Sequence, residues 1–179
     1  MKISKRKLII SISLGLNVVF IFWLFLLYQE NTDMKKGVIL QYAFQQNEVL
    51  LDLETALNHQ DDSVDYVNSL VGAYANTYQN FILTKKYGGS VGQYVDIPNN
   101  INIFNSPTSS SPVGISLSNR VADVSNDEMN QKLESYTSYV SQVVDTLDLE
   151  NKIKGKSLKE QYKTLKEVSE LIKTFHLEK

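Results

Sequence analysis

The sequence predicts an all-α protein. An N-terminal transmembrane helix precedes an extracytoplasmic four-helix bundle, built as two hairpins with one long crossover. Three observations carry this expectation. An uncharged apolar run extends from Leu8 to Tyr28. Four later segments repeat apolar residues in steps of three and four, the period of an amphipathic helix. Helix-capping residues stand where those segments begin.

The apolar run is 21 residues long, and about 20 residues of helix cross a bilayer. A cleaved signal peptide has a shorter core and a small-residue cleavage site. Here Gln29, Glu30, Asn31 and Thr32 follow Tyr28, with no such site and no lipidation cysteine. The run therefore reads as a retained anchor from Leu8, with Trp23 and Tyr28 toward its outer end. Amphipathic rings of that kind sit at the headgroup level. Lys2, Lys5, Arg6 and Lys7 precede the run, and cations flanking a membrane segment stay in the cytoplasm. Residues 1–7 are thus expected as a cytoplasmic tail, 8–28 as the anchor and 29–179 as the outside domain. Ser11 and Gly15 form one small-xxx-small pair, a pattern shared by helix dimers and by many solitary membrane helices. A homo-oligomer is one open expectation.

In the first helix, Ile39, Tyr42, Ala43, Leu50, Leu53 and Leu57 share a stripe that Gln46 interrupts. Between Tyr28 and Asn58 only Gly37 weakens helix, by about 1 kcal/mol against alanine. The anchor and this helix are expected to form one rod. Asn58 to Asp62 reads as a turn, with Asp62 or Ser63 as the next cap and Asp65 in the first turn, where the dipole favours an anion. Val64, Val67, Val71, Tyr74, Tyr78, Phe81 and Lys85 then alternate by three and four, and apart from the final lysine are expected to be the core face of the second helix. Tyr66 falls off that stripe. A capping box, Ser125-Asn126-Asp127-Glu128, opens the third helix, striped by Met129, Leu133, Tyr136, Val140, Val143 and Leu147. Tyr139 falls off this stripe. Gly155 marks a break, Ser157-Leu158-Lys159-Glu160 is a second capping box, and Leu158, Tyr162, Leu165, Val168, Ile172 and Phe175 stripe the fourth helix.

The crossover, 87–124, has another composition. It holds four of the eight glycines, all three prolines and the run Thr108-Ser109-Ser110-Ser111. Val95 to Phe104, with Pro98-Asn99-Asn100 as its turn, predicts a small β-hairpin. Structureless connections this long are uncommon in compact domains and are usually functional or disordered.

Composition excludes several classes. Residues 29–179 carry 14 basic against 20 acidic side chains, which is no nucleic-acid signature. Residues 151–179 are the exception, with eight lysines and four glutamates. That segment is expected to dock on acidic earlier helices or to face an anionic surface. The absence of cysteine rules out disulfides and thiol chemistry. With only two arginines among the 18 basic residues and abundant asparagine, the chain points to an A/T-rich, Gram-positive source.

Three patterns resemble chemical sites, and each has a plainer account. Gly88-Gly89-Ser90-Val91-Gly92 fits G-x-S-x-G, with Asp96 or Asp123 and His176 in hydrolase order. A nucleophile elbow, however, needs a strand before its serine and a helix after it. A glycine turn after a helix explains the run. His59 with Asp61, Asp62 and Asp65 offers metal-ligand chemistry, but the aspartates cap a helix start and no second histidine or cysteine lies nearby. Asp123 to Glu128 is oxygen-rich but lacks the EF-hand glycine and distal glutamate. No cofactor or metal is expected.

An anchor followed by a helical bundle is similar in general shape to bacterial chemoreceptor sensor domains. Those have a second membrane helix and a cytoplasmic output, and this chain reaches Lys179 with neither, so signalling across the membrane alone is not expected. The expected function is a non-catalytic, membrane-anchored interaction module that binds another membrane or envelope protein. The alternative is a small-ligand or anion-binding accessory subunit. Candidate partner-binding residues are Tyr66 and Tyr139, which widen the core or mark an interface, and Tyr94, Ile97, Ile101 and Phe104 in the crossover.

Overall fold

The computed structural model describes residues 5–60, 63–87 and 127–174. These residues form four α-helices and one π-turn, with no strand among them. The crossover hairpin expected at 95–104 lies outside the described residues, as does the first capping serine, Ser125.

Helix α1 spans Lys5–Asn58 without interruption. The anchor and the first amphipathic helix are one element, as the lack of any strong breaker implies. Its two parts differ in what surrounds them. From Ile10 to Tyr28 every large apolar side chain is exposed. This is one apolar helix long enough to cross a membrane. From Val38 onward α1 buries a stripe of Val38, Ile39, Tyr42, Ala43, Gln46, Val49, Leu53 and Ala56. The stripe passes through Gln46 as expected, while Leu50 and Leu57 sit at its edge.

Helix α2 (Ser63–Tyr87) returns along α1, with Asp65 in its first turn. Helix α3 (Asp127–Leu147) packs on α1, and its Asn130 Nδ2 donates to Gln60 Oε1 at 3.3 Å, beside the α1–α2 turn. Helix α4 (Leu158–Thr174) packs on α3 and α1. Helix α1 is thus the spine on which the other three assemble. Leu133, Tyr136, Val140, Val143 and Leu147 of α3 are buried where the stripe places them, as are Leu165 and Val168 of α4.

The second capping box forms as the sequence implies. Ser157 donates from its amide to Glu160 Oε2 at 2.9 Å and from its hydroxyl at 2.6 Å, and the Glu160 amide donates back to Ser157 Oγ at 3.4 Å. Hydrogen bonds from the Ser157 side chain and amide hold the Glu160 carboxyl below its ordinary range. The break before it is more ordered than one glycine suggests. Asp148 adopts a left-handed conformation (φ 41°) and accepts from the Asn151 amide and Nδ2, opening a π-turn over Leu149–Ile153. Gly155 takes the second left-handed position (φ 71°), which costs glycine nothing sterically.

The face of α2 differs from expectation. Its buried residues are Tyr66, Leu70, Ala73, Thr77, Asn80 and Leu83. The stripe expected in the core is exposed at Val64, Val71, Tyr74 and Tyr78. A close approach between helices accompanies this rotation. A Cβ on Gly72 would come within 2.7 Å of Asp52 Oδ2, the same oxygen that accepts from Asn76 Nδ2 at 3.0 Å. Glycine at 72 and the Asp52–Asn76 bond seat the more polar side of α2 on α1. Both sides of α2 are apolar enough to face a core, so periodicity alone chose the wrong one.

Candidate functional site

The outward side of α2 is the most distinctive surface of the described chain. Val64, Val71 and Tyr78 remain 64%, 48% and 45% exposed. With Val67, Tyr74 and Phe81 they keep the three-four spacing of a coiled-coil seam. Ile82, also exposed, widens it. The rings of Tyr74 and Tyr78 stack at 6.4 Å between centroids and 11° between planes, and Phe81 lies 6.1 Å beyond Tyr78. From Tyr66 to Thr84 the helix carries no charged residue. Exposed helix faces ordinarily carry charged and polar residues.

Behind this face is a buried polar layer contributed by three helices. It comprises Tyr42 and Gln46 of α1, Thr77 and Asn80 of α2, and Tyr136 and Tyr139 of α3. The Tyr136 and Tyr139 rings stack at 6.1 Å. Burial raises all three tyrosine hydroxyls above their ordinary range; for Tyr136 the neighbouring Thr77 hydroxyl partly opposes the effect. These phenols stay protonated at neutral pH and serve as packing groups. Tyr66 and Tyr139, read from sequence as core or interface, are each only 1% exposed. They belong to the core of this chain, and neither presents a ring at its surface.

A second feature lies where the α3–α4 turn meets α1. A cleft of about 190 Å³ is lined by Lys36 and Gly37 of α1 and by Lys154, Gly155, Lys156 and Gln161. Gln161 Nε2 donates to the Ile153 carbonyl at 2.7 Å, closing the turn over the cleft. Charges of the lysine-rich segment pair locally. Lys154 Nζ lies 3.0 Å from Glu150 Oε1, and Lys152 and Lys163 lie 3.9 and 3.8 Å from Glu167.

The remaining candidates disperse. Trp23 and Tyr28 are exposed on the apolar part of α1, Trp23 with its ring 6.2 Å from that of Phe20, and Leu8 stands in the first turns of the same helix. Tyr94, Ile97, Ile101 and Phe104 lie outside the described residues, as do Ser90, Asp96, Asp123 and His176. His59 uses Nδ1 on the Thr55 carbonyl at 2.9 Å, an end-of-helix contact. Among the described residues no trio of histidine, cysteine, aspartate or glutamate gathers into a metal-binding group. Comparison with protein-family models, curated proteins and solved structures finds no match. The functional reading therefore rests on the residues themselves.

The seam on α2 was visible in the sequence, but as core. The signal that separates the two readings is the uncharged stretch Tyr66–Thr84, together with Thr77 and Asn80. Two polar residues that share a helix face with Tyr66, Leu70 and Ala73 can sit inside if they find partners.

Proposed function

We propose that this chain is a membrane-anchored, non-catalytic interaction module. In this reading residues 8–28 hold it in the bilayer with the N-terminus cytoplasmic, and residues 29–179 form an extracytoplasmic helical bundle. Its partner is another membrane or envelope protein, engaged by helix pairing on the outward face of α2. The observation that carries the reading is the exposed set Val64, Val71, Tyr74, Tyr78 and Ile82 on a helix that carries no charged residue from Tyr66 to Thr84. Water-exposed apolar side chains at that spacing are stabilised by a second helix laid along them. The four leading cations and the uncharged 21-residue run support the topology.

The double variant Val71→Asp/Tyr78→Asp tests this. Both positions are exposed, so the chain should keep its helix content and melting temperature. Chemical cross-linking in native membranes should then lose the adducts that the wild-type chain forms. Unchanged adducts would remove α2 as the contact surface. Protease added to intact protoplasts should remove a C-terminal tag; a protected tag would overturn the orientation.

The alternative reading, an anion- or small-ligand-binding accessory, is favoured by the cleft between Lys36, Lys154 and Lys156. Lys154 already pairs with Glu150, which weakens its call on an external anion.

A further inference from the structure

We propose that the cleft between α1 and the α3–α4 turn holds the phosphate headgroup of an anionic, hydroxyl-bearing lipid, and so seats the base of the bundle on the membrane that carries the anchor. The inference rests on the proposed placement of residues 8–28 in the bilayer, and it gives the cleft an occupant of stated chemistry. Position, charge and the lining of the cleft each point to that occupant.

Position follows from the continuity of α1. Lys36 comes eight residues after Tyr28 on one unbroken helix, so the cleft opens about 12 Å beyond the apolar run at 1.5 Å per residue. The headgroup layer extends about 5–8 Å beyond the hydrocarbon on each side. The gap that remains is shorter than the Debye length of about 8 Å at physiological ionic strength, so charges at the cleft feel an anionic surface. A lysine stem also crosses apolar or interfacial surface while its ammonium stays among polar groups. Helix α3 starts beside the α1–α2 turn and runs back along α1, and the π-turn and Gly155 reverse the chain against Lys36 and Gly37. The cleft therefore stands at the end of the bundle nearest the apolar run.

Charge is graded along the same axis. Between Gly37 and Lys85 the chain has six acidic residues and neither lysine nor arginine. The lysines of α1 beyond the apolar run, Lys35 and Lys36, and the pair in the last turn of α2, Lys85 and Lys86, all belong to the end nearest the membrane. The α3–α4 turn adds Lys154 and Lys156 beside Lys36. Acidic neighbours are present. Glu150 holds Lys154 at 3.0 Å, and Asp148 accepts from Asn151. Asp33 lies one turn before Lys36, and Glu160 is near enough to Lys156 to feel its charge. Yet among the described residues Lys36 and Lys156, both half-buried, are in no ion pair. Two ammonium groups at one cleft, neither held by a carboxylate, suit a phosphate.

The lining selects the headgroup. At about 190 Å³ the cleft is smaller than the roughly 300 Å³ at which pockets for drug-sized ligands begin, and it suits a phosphate with a short alcohol. Gln161, in its wall, is only 3% exposed. Its Nε2 is committed to the Ile153 carbonyl, and its Oε1 has no donor. A buried acceptor left alone is costly, and a hydroxyl beside the bound phosphate supplies the donor. A phosphoglycerol headgroup offers both the anion and the hydroxyl. A phosphocholine headgroup brings a further cation toward Lys36 and Lys156 and no hydroxyl for Gln161, so the same lining rejects it.

Thermal melting of the full-length chain in detergent micelles tests this. The micelles are doped with phosphatidylglycerol, with phosphatidylcholine, or with phosphatidylmethanol, which has the charge without the hydroxyl. At about ten times its dissociation constant, phosphatidylglycerol should raise Tm by roughly 4 °C. Phosphatidylmethanol should raise it less, and phosphatidylcholine not at all. Lys36→Gln/Lys156→Gln should lose the rise, read against its own lipid-free melt so that a change in fold stability does not mimic the loss. Lys159→Gln, exposed and outside the cleft, should keep it. Equal rises with phosphatidylglycerol and phosphatidylcholine would overturn the proposal. So would a rise retained in the double variant, or one lost equally in Lys159→Gln, which would mean diffuse attraction between charges. An equal rise with phosphatidylmethanol would overturn the hydroxyl and the part given to Gln161. Inorganic phosphate or glycerol phosphate that produced the whole rise without lipid would make a soluble anion the ligand and overturn the lipid. Flotation of the chain with phosphatidylglycerol vesicles reads the anchor separately. A chain that fails to float removes the bilayer placement; one that floats but shows no preference for phosphatidylglycerol in the melts removes the cleft assignment alone.

Discussion

Helices α2 and α3 carry apolar heptads of similar quality and both pack on α1, yet α3 turns its heptad inward and α2 turns its heptad outward. Periodicity establishes which residues share a face. It does not establish which face meets the partner when both are apolar. On α3 the side opposite the stripe is polar, so there is one solution. On α2 the opposite side offers Tyr66, Leu70, Ala73 and Leu83, together with a glycine that admits the Asp52 carboxylate. Close approach and a large buried ring outweigh the regularity of the valine–tyrosine stripe.

The largest test of that contrast sets one aspartate against another. Leu133→Asp places an unpaired charge in a fully buried position of α3 and should destabilise the fold by roughly 3–5 kcal/mol. Val71→Asp on α2, at 48% exposure, should cost less than about 1 kcal/mol. Denaturant unfolding of the detergent-solubilised chain, followed by circular dichroism, separates these values. A large loss at Val71 would mean that α2 is rotated the other way.

The buried tyrosine layer should respond next. Tyr136→Phe removes a fully buried hydroxyl beside Thr77 and should change stability by less than about 1 kcal/mol. Tyr42→Phe removes a buried hydroxyl that makes no hydrogen bond, and should be neutral or mildly stabilising. Because burial holds these phenols protonated in the folded chain, their contribution is complete below the unfolded pKa near 10 and declines as pH rises beyond it. Alkaline unfolding should therefore begin above about pH 10 and be delayed in the double variant Tyr42→Phe/Tyr139→Phe. An unfolding curve flat to higher pH in the wild type would place these rings in water.

Gly72 sharpens the account of why α2 sits as it does. Alanine gains about 1 kcal/mol in helix propensity but must displace the Asp52 carboxylate. Gly72→Ala should therefore be near neutral alone and stabilising by about 1 kcal/mol in an Asp52→Ala background. Equal effects in both backgrounds would remove the close approach as a cause. The smallest effect is expected in the second hairpin: Ser157→Ala deletes the cap of α4 and should cost about 0.5–1 kcal/mol by the same unfolding measurement. No loss there would mean the box does not contribute to stability.

Legibility followed how local each determinant is. The unbroken α1, the Ser157–Glu160 box and the α3 face were readable, because propensity, capping and a one-sided stripe involve residues within a turn or two. The face of α2 was not, since it depends on Asp52, which lies twenty residues before Gly72. Burial of Thr77, Asn80 and Gln161 was equally hidden, because each residue type is polar in isolation and ordinarily reads as surface. The left-handed Asp148 and its π-turn carried no signal beyond a residue type that tolerates that conformation. Of the partner-binding residues expected from sequence, Tyr66 and Tyr139 are interior, and the exposed face of α2 proposed as the contact surface is composed of residues that the sequence assigned to the core.

The unbroken α1 also has a mechanical consequence. Thirty residues of helix separate Tyr28 from Asn58, about 45 Å at 1.5 Å per residue. With no hinge in that length, a tilt of about 10° at the apolar end swings the far end sideways by roughly 8 Å, and the helices packed on α1 move with it. The helix is a lever arm with its fulcrum at Tyr28. Whatever sets the inclination of the apolar segment, including the thickness of the layer around it, is converted into a lateral displacement of everything that α1 carries.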